Sequence, residues 1–382
     1  MRLRWQTAAL AALLAVMLPG AAGAQEFTTG AVKIKLGGRI HMQAGTSSCD
    51  EFPLPADSRC EEQVATTDFF LRRARLTFDV EIGDRIDLRL EPDYNKVTQL
   101  GLKDAWGRFT ISPMARIKMG HFRRPFDGFQ LTSSTQMLTV ERAVLIRGLG
   151  RNVARSLDAA TVLYNLSDRD IGVELSGATD GGLFSYWVGA FTGDSDFSFQ
   201  DSNAQKQYVG RAQLAFDAAG LPLKVAAAAS ATDEGYETEE RGLQGEYHYA
   251  YELFGELGDF SGGPHLMAGL VLGDNPRQNP AGDAIDLAAG DAFASFVTWQ
   301  AIGSWRIATD VLGLEAIEPL FRVTWGDPNT DLDGDAGWGF TPGVQFFFYK
   351  RNKLALNWDI ATWEQDGIRN ESSFKAQVQF HF

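Results

Sequence analysis

Within residues 116–155 the chain carries Arg116, Lys118, Arg123, Arg124, Arg142, Arg147, Arg151 and Arg155 against only Asp127 and Glu141. This local excess of +6 sits in a 382-residue chain of formal net charge −14. A guanidinium is permanently charged, planar and weakly hydrated, and its forked donors match two oxygens of an oxyanion at once. Arg73 and Arg75 repeat the chemistry with the spacing of one strand face, and Asp104 stands in the same relation to Trp106 and Arg108. Asp104 and Glu141 can orient these guanidiniums, accept a proton from a protonated oxyanion, or form plain salt bridges, and the sequence leaves all three open. Arg72 falls on the opposite, nominally lipid-facing side, where it serves a subunit contact or the loop. Such a set attracts anions but does not turn them over. There is no G-x-S-x-G elbow, no H-E-x-x-H and no P-loop. His41, His121, His248, His265 and His381 are dispersed, so neither enzymatic activity nor a cofactor is expected.

The residues around these arginines alternate with period two, the mark of strands. Val32, Ile34 and Leu36 alternate with Lys33 and Lys35. After a phase shift at Gly37-Gly38, Ile40, Met42 and Ala44 alternate with Arg39, His41 and Gln43. Ala74, Leu76, Phe78, Val80 and Ile82 oppose Arg73, Arg75, Thr77, Asp79 and Glu81. The pattern predicts strands at 32–44, 68–82, 85–94, 101–111, 116–122, 170–178, 183–192, 207–217, 222–231, 241–256, 264–273, 292–307, 319–326, 338–349, 354–364 and 373–382.

Connections after alternate strands are short (Gly83-Asp84, Ser112 to Ala115, Thr179 to Gly182, Ala218 to Leu221, Lys350 to Lys353), and the intervening ones are long and polar. Sixteen strands of about ten residues with this asymmetry predict an all-β fold, a transmembrane antiparallel β-barrel with short periplasmic turns and long outer loops. The last strand alternates Phe374, Ala376, Val378, Phe380 and Phe382 with Lys375, Gln377, Gln379 and His381. Phe347, Tyr349, Trp358 and Trp363 are candidates for aromatic girdles. A lumen of this size admits water. The longest connection, about 123–169, is the third outer loop, and folded inward it would set an arginine-lined constriction from Arg73, Arg75, Arg123, Arg124 and Arg142 with Asp104.

The termini and cysteines fit export. Arg2 and Arg4, the apolar run Ala8–Leu18 and Ala22-Gly23-Ala24 read as a signal peptide over 1–24, leaving a barrel domain over 25–382. Cys49 and Cys60, the only two cysteines, lie in the polar segment 45–67 and read as a disulfide across an outer loop. Two thiolates alone make no zinc site. The acidic balance excludes a nucleic-acid binder, and 12% aromatic residues exclude disorder. No stretch after residue 24 is apolar enough for a spanning helix.

Several blocks resemble the phosphate-selective porins of the O and P type. They are Phe70-Leu71-Arg72-Arg73-Ala74-Arg75-Leu76, Lys103-Asp104-Ala105-Trp106, Gly120-His121-Phe122-Arg123-Arg124-Pro125-Phe126, Leu131-Thr132-Ser133-Ser134 with Val140-Glu141-Arg142-Ala143, and Asp170-Ile171-Gly172-Val173-Glu174-Leu175-Ser176-Gly177. The resemblance implies a trimeric porin of the outer membrane, in contact with lipid and lipopolysaccharide, that passes small anions such as phosphate. One feature departs from it. Asp50, Glu51, Asp57, Glu61 and Glu62, then Asp233, Glu234, Glu237, Glu239 and Glu240, then Asp327, Asp331, Asp333 and Asp335 give an acidic mouth that repels anions at low salt. This argues against phosphate specificity and leaves a general or neutral-solute porin, or a barrel plugged by its loop, as alternatives. The alternate carboxylates Asp331, Asp333 and Asp335 hint at calcium but lack the EF-hand spacing and its closing Glu, so no metal site is expected.

Overall fold

The computed structural model describes residues 25–48, 66–96, 99–144, 155–193, 206–238, 242–364 and 370–382. The segment 1–24 read as a signal peptide, Cys49, Cys60, Arg147 and Arg151 lie outside the described residues. Sixteen antiparallel strands form one closed sheet: β1 (Val32–Ser48), β2 (Thr66–Ile82), β3 (Ile86–Lys96), β4 (Gln99–Ser112), β5 (Ala115–Arg123), β6 (Arg169–Ala178), β7 (Phe184–Phe191), β8 (Gln207–Ala218), β9 (Leu221–Thr238), β10 (Gly242–Leu257), β11 (Gly263–Asn275), β12 (Ala294–Ala308), β13 (Ala316–Asp327), β14 (Gly337–Tyr349), β15 (Asn352–Trp363) and β16 (Glu371–His381). Each pairs with its sequence neighbours, and β16 closes on β1 from Ser372↔Ser48 to His381↔Arg39. Closure leaves no strand edge, so every ladder hydrogen bond is made within the barrel.

The terminal Phe382 completes the seam. Its backbone N–H donates to the Gly38 carbonyl at 3.1 Å and its carbonyl accepts from the Gly38 N–H at 3.0 Å. A Cβ on Gly38 would lie 2.5 Å from the Phe382 ring, which explains the glycine there. Below that point the arm Gln25–Thr29 takes over, pairing with Leu36–Val32 of β1.

The turns 83–85, 113–114, 179–183, 219–220, 258–262, 309–315 and 350–351 all lie at the periplasmic end. Two outer connections are shorter than the sequence suggested. Only 97–98 separate β3 from β4, and only 239–241 separate β9 from β10. In the second case the acidic segment expected as a loop is strand, with Asp233↔Tyr247 and Glu237↔Leu243 in register. Apolar alternation stops at the membrane edge, but backbone pairing continues into water because it does not depend on side-chain polarity.

The outer surface is apolar: Leu88, Leu90, Met119, Val188, Leu253 and Leu272 are exposed, with Tyr208, Tyr247 and Tyr249 toward the outer rim and Trp305, Phe348 and Tyr349 toward the periplasmic rim. Trp358 also faces outward. Phe347 and Trp363, expected in the girdles, instead point inward. Phe347 lies under Arg306 at 3.7 Å, beyond a bulge at Phe347/Tyr349, and Trp363 lies 5.5 Å from Arg155, an odd number of residues from Trp358 and hence on the other face.

The compact apolar core is inside the barrel. Phe122, Phe126, Phe129, Leu157, Tyr164 and Leu166, from the third outer connection and the strand entering it, pack on Phe191, Phe254 and Phe296 of the wall. Their burial fills one side of the lumen and keeps the loop folded inward.

Candidate functional site

The inward loop runs from Arg124 to Asp168 and contains, among its described residues, two short helices, α1 (Gly128–Leu131) and α2 (Leu157–Leu163). Asp127 caps α1, accepting from Phe129 N at 3.0 Å and Gln130 N at 3.2 Å. The N–H groups of Asp127 and Gly128 donate to Glu252 of β10 at 3.0 and 2.7 Å. A Cβ at Gly128 would lie 2.4 Å from the Phe254 ring, so the loop can approach this wall only through glycine. The Thr161 hydroxyl of α2 donates to the other Asp127 oxygen at 2.6 Å, tying the two helices together.

Two further latches hold the loop. Arg322 of β13, with none of its surface exposed, donates to the carbonyls of Glu141, Arg142 and Ala143 at 2.9, 2.6 and 3.2 Å and to Asp359 at 2.9 Å. Opposite, Glu141 accepts from Arg72 at 2.7 and 3.1 Å and from Gln43 at 3.0 Å, with Arg73 at 3.7 Å. Arg72 reaches it because of a bulge. His41 pairs with Arg73 and Met42 with Leu71, leaving Arg72 unpaired in the ladder and turned into the barrel. The nominal lipid-facing position expected for Arg72 is thereby corrected, while its bonds to Glu141 give it the loop contact that was one of its two expected roles. Burial alone would raise the Glu141 carboxyl, but the Arg72 and Arg73 guanidiniums outweigh it and hold the group below the ordinary carboxylate range.

Between loop and wall lies a cavity of about 650 Å³. Seven cations line it (Arg39, Arg89, Lys118, Arg123, Arg169, Arg211 and Lys224) against the carboxylates Glu91, Asp104, Glu174 and Glu256. Six of the seven are matched: Arg39 by Glu91, Arg89 by Asp79 at 2.6 Å, Lys118 by Glu174 at 2.7 Å, Arg169 by Asp104 at 2.8 Å, Arg211 by Glu252 at 2.6 Å and Lys224 by Glu256 at 2.9 Å. Among the described residues Arg123 is the lining cation without a carboxylate. Its Nη1 donates to the Thr132 carbonyl at 3.0 Å.

The sequence-predicted residues are dispersed around this cavity. Arg123 and Asp104 line it, and Asp104 orients Arg169 through bonds of 2.8 and 3.3 Å. Arg142, within the loop, does not line the cavity and donates to the same Thr132 carbonyl at 2.6 Å, so two guanidiniums converge on one backbone oxygen. Arg73 is buried beside His41 and Glu141, and Arg75 is spent on Asp93 at 2.8 Å. Arg124, 2% exposed, donates to Gln207 at 2.7 Å and fastens the loop base. Sequence reasoning did not name Arg39, Arg89, Lys118, Arg169, Arg211 or Lys224 as site residues. Arg39 was on a polar face already noted, and that face was the available signal. Among the described residues no group of three or more His, Cys, Asp or Glu could hold a metal, and Asp331 and Asp333 are exposed.

A closed antiparallel barrel, apolar outside and carrying an inward loop beside a charged cavity, defines a channel of the bacterial outer membrane. The chain belongs to the family Phosphate-selective porin O and P, whose sequence profile matches residues 35–253. It is thus an outer-membrane channel rather than an enzyme. Among curated proteins no sequence matches it. Similar solved folds include the outer-membrane channel DcaP of Acinetobacter baumannii, 13% identical with a TM-score of 0.57 over 94% of this chain and 100% of that one. OmpF of Salmonella typhi in complex with daunomycin is 12% identical, with a TM-score of 0.59 over 94% and 100%. The trimer form of OmpT of Vibrio cholerae is 11% identical, with a TM-score of 0.55 over 92% and 100%.

Proposed function

We propose that the channel is a passive diffusion pore whose constriction favours small anions, phosphate and other oxyanions included. The observation that carries this reading is the charge imbalance of the cavity wall, with Arg123 left uncompensated beside the inward loop. In a narrowed space of lower effective dielectric, one fixed positive charge acts on a passing ion more strongly than in bulk water. Neutralised neighbours mean that the preference is modest, not exclusive. No cofactor takes part. The same reading includes assembly as a trimer, for which the trimer form of OmpT is the precedent, contact of the apolar belt with lipid and lipopolysaccharide, export through residues 1–24, and a Cys49–Cys60 bridge. Planar-bilayer recording across a potassium chloride gradient tests it. Stepwise conductance with a reversal potential of anionic sign is expected. Absence of conductance would leave a plugged barrel, and a cationic sign would remove the anion preference.

A further inference from the structure

The cavity wall narrows the class of anion. Trp106 of β4 and Trp187 of β7 both face the lumen half-buried. A small inorganic ion gains nothing from such rings, because the aromatic face carries the negative side of the quadrupole. Around Trp106 that repulsion is offset: the Arg89 and Arg108 guanidiniums and the Lys118 ammonium lie 5.7, 5.8 and 5.9 Å from the ring centroid. These cations are in turn matched by Asp79, Asp87 and Glu174. The result is a nearly neutral, ring-lined wall in the same cavity as one uncompensated guanidinium. From this juxtaposition we infer that the lumen binds an aromatic monocarboxylate, its ring on the Trp106 and Trp187 wall and its carboxylate on Arg123. A single free guanidinium matches one carboxylate better than a multiply charged phosphate, and a cavity of about 650 Å³ holds a one-ring solute with water around it.

This rests on the anion-favouring reading, and the test separates the two. Benzoate, acetate, inorganic phosphate and benzyl alcohol are each added to the wild-type channel carrying chloride current in a planar bilayer. Benzoate is expected to reduce the current at a concentration on the order of five- to tenfold below acetate, with phosphate no stronger than acetate and benzyl alcohol inert. Trp106→Leu and Trp187→Leu should bring the benzoate-to-acetate ratio toward one, and Trp187→Phe should retain the ratio. Equal action of benzoate and acetate on a wild-type channel of anionic reversal potential overturns the aromatic inference and leaves the anion reading intact. Stronger action of phosphate than of benzoate does the same, as does a ratio that survives both leucine substitutions. A cationic reversal potential in the wild type refutes both.

Discussion

Replacing Glu141 by Gln should loosen the inward loop without weakening the barrel. Glutamine keeps the size of the side chain and its bond to Gln43, but it removes the charge that Arg72 grips at 2.7 and 3.1 Å and Arg73 approaches at 3.7 Å. Losing one partner of a buried ion pair costs about 3–5 kcal/mol because the other charge is left uncompensated. The Arg72 side chain keeps 33% of its surface exposed, so water partly compensates it, and the low end applies. A cost of about 3 kcal/mol corresponds to a roughly 150-fold rise in the fraction of time the loop is unseated. The Glu252 latch remains, so α1 and α2 should stay docked, while the segment around Glu141, still bonded to Arg322 through its carbonyls, should leave the β1–β2 wall more often. Single-channel recording reads this as frequent transitions to a larger conductance, with a reversal potential shifted further toward anions by the two released guanidiniums. In Arg72→Gln/Glu141→Gln the uncompensated charge is largely gone, and the noise should fall back toward wild type. Wild-type noise and conductance in Glu141→Gln, or a double variant noisier than the single one, would refute the latch.

Arg123→Gln should shift the reversal potential toward cations, whereas Arg124→Gln should leave it nearly unchanged and instead weaken the loop base, since Arg124 is buried on Gln207; equal shifts from both would mean that diffuse lumen charge sets selectivity. Burial pushes the Asp158 carboxyl of α2 up to about 7, and Asp127 rises as well. The seated loop therefore binds protons that the released loop gives up, so seating is most stable in acid and weakens as pH rises from about 4 to about 7. Gating noise should accordingly be lower at pH 5 than at pH 8, and Asp158→Asn should flatten that dependence; noise that rises on acidification would contradict it. Proteolysis between Cys49 and Cys60 should release two separable fragments only after reduction, and separation without reductant would remove the bridge.

The sequence by itself determined the barrel. Period-two alternation is a local property, because successive side chains in a strand point to opposite faces, and turns of two to seven residues set against a connection of some 45 residues fix which end is which. All sixteen expected strands are present, and Arg73 and Arg75 point into the barrel, as alternation required.

Only the tertiary structure decided which of those charges remain free. Arg75 meets Asp93 through the register of β2 on β3, Arg169 meets Asp104 across 65 residues, and Arg322 holds the loop from 180 residues away. Such pairings depend on how strands slide when the barrel closes, which no local pattern encodes. The Arg72 bulge has the same origin, since one extra residue rotates a side chain from the lipid face to the lumen without disturbing the apolar alternation on either side. Composition placed an excess of arginine in one segment, but the closed barrel set Lys118 on Glu174, Arg124 on Gln207, and Arg142 and Arg155 on backbone carbonyls, and left Arg123 lining the cavity.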